Sequence, residues 1–187
     1  QLASQSSFLK ILSQQTRLEN LALHIQVMIK EDLSKFSFEL PKTLVEVNLA
    51  RCELSDDFLN AWNVDNQAKN LRELNVSLCK ISTPTQFCKK MSQVLFQYLC
   101  NLDFGSNKKF LNFGKKISLC SDKELLALVE SLLYFSYAIR YQMPNLKTIS
   151  MNDTKFNDIM AHALFAGKLV DLMLVLLIDR QPDVKKV

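Results

Sequence analysis

The chain has 187 residues, a formal net charge of +4 at pH 7, 48% hydrophobic residues and 22% charged residues. This content argues against a disordered chain and supplies a core for one ordinary domain or a run of repeats. Three glycines and two histidines leave little for glycine-rich phosphate loops, histidine metal sites or histidine-based relays.

Five cysteines without a CxxC pair suggest neither a disulfide framework nor a zinc ribbon, and a reducing compartment fits them best. The apolar stretch 172–178 is too short to cross a bilayer, and no signal peptide is visible. A start at Gln1 rather than Met predicts a fragment or a processed product. The lysine pairs 89–90, 108–109, 115–116 and 185–186 read as solvated surface, and so mild a net charge does not itself predict nucleic-acid binding.

Taken along the chain, residues 1–17 carry Phe8, Leu9, Ile11 and Leu12 and are expected to form a short capping helix. An apolar spacing then begins weakly at Leu18, Leu21 and Leu23, with Met28 at its last apolar position. It is clearest in the window starting at Leu44, where Leu44, Val47, Leu49 and Leu54 occupy positions 1, 4, 6 and 11 and Cys52 is ninth. Ser55 followed by Asp56 and Asp57 predicts a helix start. The spacing returns at Leu71, Leu74, Val76 and Ile81, with Cys79 ninth. Ser82 and Thr83 ahead of Pro84 predict another helix start, continued over 85–98 by Phe87, Met91, Val94, Leu95 and Tyr98 at helical spacing.

Leu99, Leu102 and Phe104 repeat the pattern with Asn107 ninth. The next stretch, 110–120, holds Gly114, paired lysines and Ile117-Ser118-Leu119, and reads either as a degenerate copy or as a loop insertion. Ser121 and Glu124 form a capping box ahead of the longest expected helix, 122–142, with Leu125, Leu128, Leu132, Phe135 and Ile139 in register. Leu146, Ile149, Met151 and Phe156 give a further copy with Thr154 ninth. Asn157 or Asp158 starts a helix ending at Gly167, and a last copy lies at Leu169, Leu172 and Leu174. The polar end, 179–187, reads as a tail.

The starts at 18, 44, 71 and 99 are 26, 27 and 28 residues apart, and the next, at 146, follows after 47. The pattern resembles the leucine-rich repeat, LxxLxLxx(N/C)xL, and the ninth-position cysteines are similar to its cysteine-containing, ribonuclease-inhibitor-like type. The resemblance covers 18–178 and implies an α/β leucine-rich repeat solenoid of five to six repeats. Short parallel strands would line the concave face and helices the convex face, with an irregular segment at 108–145. Positions 4 and 6 would point inward because side chains alternate across a strand. Position 9 must be small and able to satisfy buried backbone groups in the bend that follows.

In this repeat type positions 3, 5 and 7 are exposed on the inner face. They are Asn20, Ala22, His24; Glu46, Asn48, Ala50; Glu73, Asn75, Ser77; Asn101, Asp103, Gly105; Thr148, Ser150, Asn152; and Asp171, Met173, Val175. No Lys or Arg is among them, and Glu46, Glu73, Asp103 and Asp171 are acidic. The candidate partner-binding residues are Glu46, Asn48, Glu73, Asn75, Asp103, Ser150 and Asn152. They would form an acidic, polar concave face for a protein partner with a basic segment. Duplex nucleic acid is disfavoured there because phosphates need cations. The competing reading is that short polar residues simply suit closely spaced strands.

No nucleophile elbow, P-loop, HExxH or dinucleotide fingerprint is present, so no catalytic residue, cofactor or metal is expected. Cys52 and Cys79 read as core turn residues, Asp56 and Asp57 as helix-start acids rather than metal ligands, and Trp62 as packing. His24 and His162 read as surface or packing histidines. Arg51 resembles the arginine-bearing loops of small-GTPase activators built from the same repeat, without any further matching motif. The expected function is a non-catalytic, intracellular (cytoplasmic or nuclear) protein-interaction module. It would belong to a larger receptor, such as an F-box-type substrate adaptor of a ubiquitin ligase, with no membrane association. The alternatives are a structural scaffold subunit of a large assembly, a microbial effector domain, or a GTPase activator.

Overall fold

The computed structural model describes residues 5–23, 39–63, 69–81, 83–107 and 121–152. Their elements are α1 (Gln5–Ser13), β1 (Asn20–Ala22), β2 (Glu46–Asn48), β3 (Glu53–Leu54), α2 (Asp56–Ala61), β4 (Glu73–Asn75), β5 (Lys80–Ile81), α3 (Pro84–Ser92), β6 (Asn101–Asp103), α4 (Asp122–Tyr137) with a π-helical turn (Ala138–Gln142), and β7 (Thr148–Ser150). The fold is α/β. Five strands form one parallel sheet in the order β1-β2-β4-β6-β7, and β3 pairs with β5, also in parallel. The segment 108–120, the helix expected at 157–167, the copy expected at 169 and the tail lie outside the described residues. So do His24, Met28, Cys120, Thr154, Phe156, His162 and Asp171.

Three-residue strands suffice because every strand is joined to its neighbour at the same place. Leu21, Val47, Leu74, Leu102 and Ile149 are register partners from one edge of the sheet to the other. Alternation then sends position 4 into the core and positions 3 and 5 to the other face. Val47, Leu74 and Leu102 are buried, whereas Glu46, Glu73, Asn101 and Thr148 are exposed. Beyond the strands the pairing continues in one form: the amides of Leu23, Leu49, Val76 and Phe104, all at position 6, donate to the carbonyls of Asn48, Asn75, Asp103 and Ser150 on the following strand.

The bend after β2, β4 and β6 recurs as well. At position 8, Arg51, Leu78 and Ser106 have φ of 65°, 56° and 59°. This left-handed conformation costs a non-glycine residue on the order of 1 kcal/mol or more. Leu78 is 46% exposed and anchors little. Leu78→Gly is therefore expected to raise stability by about 0.5 kcal/mol, the relieved strain exceeding glycine's entropic cost. A higher urea midpoint at unchanged slope would register it, and a lower midpoint would contradict it. Position 7 departs from the expected exposure at Gly105, which is buried. A Cβ there would stand 3.0 Å from Asp103 Oδ1, so a side chain would require that carboxylate to give by a few tenths of an ångström.

Helix starts follow the local chemistry. Ser55 caps α2, its Oγ accepting from the Phe58 amide at 3.2 Å. Ser121 and Glu124 form the full reciprocal capping box on α4. Asp56 accepts a 2.7 Å hydrogen bond from Thr83 Oγ1, so one carboxylate of the predicted helix-start pair bridges two connections. α3 is shorter than its periodicity over 85–98 predicts. It ends at Ser92, after which Val94 and Phe96 are buried while Leu95 and Tyr98 are exposed. The apolar pattern there has switched to the two-residue period of extended chain, which leads into β6. The expected helix over 122–142 forms, but its last five residues widen into the π-helical turn. α1 places Leu12 against the core and leaves Phe8 and Ile11 exposed.

The core runs between the sheet and the helices. Trp62 is buried against Phe58, with ring centroids 6.0 Å apart. Phe104 is met edge-on by Phe87 at 5.7 Å and by Phe135 at 5.3 Å, linking β6 to α3 and α4. The two helices are also tied by Thr85 Oγ1, which lies 2.8 Å from Ser131 Oγ and 3.0 Å from the Ala127 carbonyl oxygen.

Candidate functional site: the polar face of the parallel sheet

Neighbouring strands lie about 4.8 Å apart, so side chains at one position form rows across the sheet. Two rows, at positions 3 and 5, border an open depression of about 370 Å³. Six predicted partner-binding residues line it: Glu46, Asn48, Glu73, Asn75, Asp103 and Ser150. Asn152 lies beyond the end of β7, exposed, and its carbonyl accepts from the Ser106 amide. Asn101 and Thr148, on the same face but outside the predicted set, line it too, as do Val47, Leu74 and Leu102 between the two rows.

The position 5 row has a structural task that the sequence does not display. Asn48 Oδ1, Asn75 Oδ1 and Asp103 Oδ1 accept from the amides of Ala50, Ser77 and Gly105, at 2.9, 2.9 and 2.7 Å. Each side chain closes its own bend two residues on. Asp103 is thus only partly available as an acid for a partner.

The position 3 row is different. Thr148 Oγ1 donates to Asn101 Oδ1, and Asn101 Nδ2 donates to Glu73 Oε1 at 2.9 Å. Glu73 and Glu46 are register partners on adjacent strands. Two carboxylates at that spacing repel modestly, and the Asn101 amide compensates only one side of Glu73. The described face holds no Lys or Arg at positions 3, 5 or 7. An ammonium or guanidinium placed here would meet two carboxylates, of which Glu73 is held by the Asn101 amide.

On the opposite side of the bend, position 9 behaves as its chemistry predicts. Cys52 Sγ donates to the Leu23 carbonyl at 3.1 Å, Cys79 Sγ to that of Leu49 at 3.0 Å, and Asn107 Nδ2 to that of Val76 at 2.8 Å. Each therefore satisfies the position 6 carbonyl of the preceding strand. Burial pushes the Cys79 thiol up to about 12, a shift that backbone hydrogen bonds oppose only in part, and burial also raises the thiol of Cys88. Both are poor nucleophiles at neutral pH.

Among the described residues no group of three or more His, Cys, Asp or Glu side chains could hold a metal ion. No described helix is long and apolar enough to cross a membrane. Arg51 is exposed at the end of its bend, its amide donating to the Ser77 carbonyl. No family model matches the chain, and it has no significant similarity to a curated protein or to a solved structure.

Proposed function

We propose that the protein is a non-catalytic protein-interaction module, built as a leucine-rich repeat solenoid of the cysteine-containing type. Its acidic, polar strand face would receive a basic segment of a protein partner. The observation that carries the reading is the pairing of Glu46 with Glu73 on adjacent strands of a depression bordered by polar side chains. The solenoid reading is supported by the recurrence of three details at one position per unit: the left-handed residue at position 8, the side-chain cap from position 5, and the donor at position 9. Short sequential units of this kind stack only on their neighbours and offer an extended surface for partners. A role as the recognition half of a larger adaptor, such as a ubiquitin-ligase substrate adaptor, fits such a surface.

The test is affinity purification with mass spectrometry, comparing wild type with Glu46→Lys/Glu73→Lys. Asp103 is left intact because it caps a bend. Partners with basic segments should be lost by at least tenfold in recovery, since each close like-charge contact reverses an attraction. An unchanged partner set would end the reading. A second reading, a structural subunit of a large assembly, is favoured by the exposure of Leu126, Leu133 and Tyr137 along α4.

A further inference from the structure

We propose that the leading edge of the sheet, where the chain turns into each strand, is a binding surface for single-stranded nucleic acid. This surface is distinct from the acidic face and of opposite charge.

Turns at 42–43, 69–70, 97–98 and 144–145 precede β2, β4, β6 and β7. The first is fastened to the chain ahead of β1 and to the second, and the third is fastened to the fourth. Thr43 Oγ1 donates to the Leu18 carbonyl at 2.6 Å, Asn70 Nδ2 to that of Lys42 at 2.7 Å, and Asn145 Nδ2 to that of Gln97 at 2.7 Å. The edge is consequently two fastened pairs of turns, set side by side by the pairing of β4 with β6.

This row of turns carries Arg17, Lys42, Lys69, Arg72 and Lys147, all exposed, with Glu19 among them and Glu46 and Glu73 bordering it at the strand starts. Lys42 and Lys69 occupy the same turn position on successive strands, and the Asn70 amide holds those two turns together. Like charges in such a row repel, and a polyanion laid across them would relieve that repulsion and release counterions.

The turn between Lys69 and Lys147 in this row presents no cation. It presents Tyr98, 47% exposed. The Phe96 amide donates to the Gln142 carbonyl at 2.7 Å, which sets this turn beside Tyr141, itself 62% exposed and 5.0 Å from the ring of Tyr137. A cation row with an exposed ring set among the cations is what unpaired bases on a phosphate backbone use. An acidic peptide would engage the cations but has no use for the rings, and a duplex keeps its bases stacked away from them. The carboxylates of Glu46 and Glu73 repel phosphate from the sheet face and confine the strand to the edge.

The test is fluorescence anisotropy of a labelled twelve-nucleotide oligothymidine strand with the full chain, titrated at several salt concentrations. Binding should weaken with salt at a log–log slope of about −2 to −3, as for three to four phosphates on a single strand. Lys42→Glu/Lys69→Glu should weaken it at least tenfold. Tyr98→Ala should weaken it about tenfold while leaving binding of a poly-glutamate peptide of equal charge unmoved. Unfolding midpoints confirm that each variant is folded, and Lys42→Gln/Lys69→Gln repeats the test without charge reversal. The proposal is overturned by absence of saturable binding at low salt, by affinity indifferent to the edge substitutions, or by a Tyr98→Ala variant that binds the oligonucleotide as wild type does. The last result, with poly-glutamate binding retained, would assign the edge to acidic peptides instead.

Discussion

Phe104→Ala is expected to lower the unfolding free energy by about 3–5 kcal/mol. Phe104 sits at position 6, fully buried, and its ring is the only one in edge-on contact with rings of both α3 and α4 in the aromatic contacts described above. Removing it takes away transfer free energy and leaves a space bounded by Phe87 and Phe135, which are held on separate helices and cannot both move in. Each aromatic pair adds about 0.5–1.5 kcal/mol beyond its area, so both contributions are lost together. Since domains of this size are stable by about 5–15 kcal/mol, the variant should be near its unfolding threshold at room temperature. Phe104→Leu refills part of the volume and should cost less than half as much. Chemical unfolding by urea measures both. A loss below about 1 kcal/mol for the alanine variant would mean that α3 and α4 are not joined to the sheet through this ring.

The second large effect lies in the position 9 row. Asn107→Leu removes the donor that satisfies the Val76 carbonyl inside the bend, and an unpaired buried carbonyl costs about 1–3 kcal/mol. Asn107→Cys should restore most of the loss, because Cys52 and Cys79 make the same bond with a thiol. The converse exchange, Cys79→Asn, should be close to neutral, and Cys79→Val should cost less than Asn107→Leu, because the Leu49 carbonyl also accepts from the Cys52 amide at 3.1 Å. The same urea series measures all four. If valine and asparagine at residue 79 proved equally stable, the thiol would be mere filling and the hydrogen bond to Leu49 without consequence.

The strands were legible in the sequence because their requirement is strict. A three-residue strand that buries one side chain leaves no freedom in where Val47, Leu74 and Leu102 fall relative to Leu44, Leu71 and Leu99, so the spacing survives in the letters. Position 9 was legible for the same reason: only small donors reach the carbonyl behind. The bends were not. Left-handed residues usually announce themselves as glycine or asparagine, but here Arg51, Leu78 and Ser106 carry that conformation, held by backbone bonds to the next strand. The double use of the position 5 side chains was equally hidden. Asn48, Asn75 and Asp103 are exposed or half-buried polar residues on the expected face, and nothing in their identity tells a bend cap from a partner contact. The end of α3 was misread because Val94, Leu95 and Tyr98 fit a helical face by count, while the need to turn at 97–98 and enter β6 decides otherwise.

That the strands pair strictly in the order in which they leave the ribosome has a mechanical consequence. The sheet is held by a few bonds between each strand and the next, and no bond in it joins strands that are not sequence neighbours in that order. Tension applied to the two ends would be borne by the outermost strand alone until it detached, and then by the one behind it. At about 3.4 Å per residue, detachment across a 26–28 residue interval would pay out roughly 90 Å of slack, and across the 47-residue interval between β6 and β7 roughly 160 Å. Such a chain would lengthen as a ratchet does, click by click, and recoil by the same steps when the load falls.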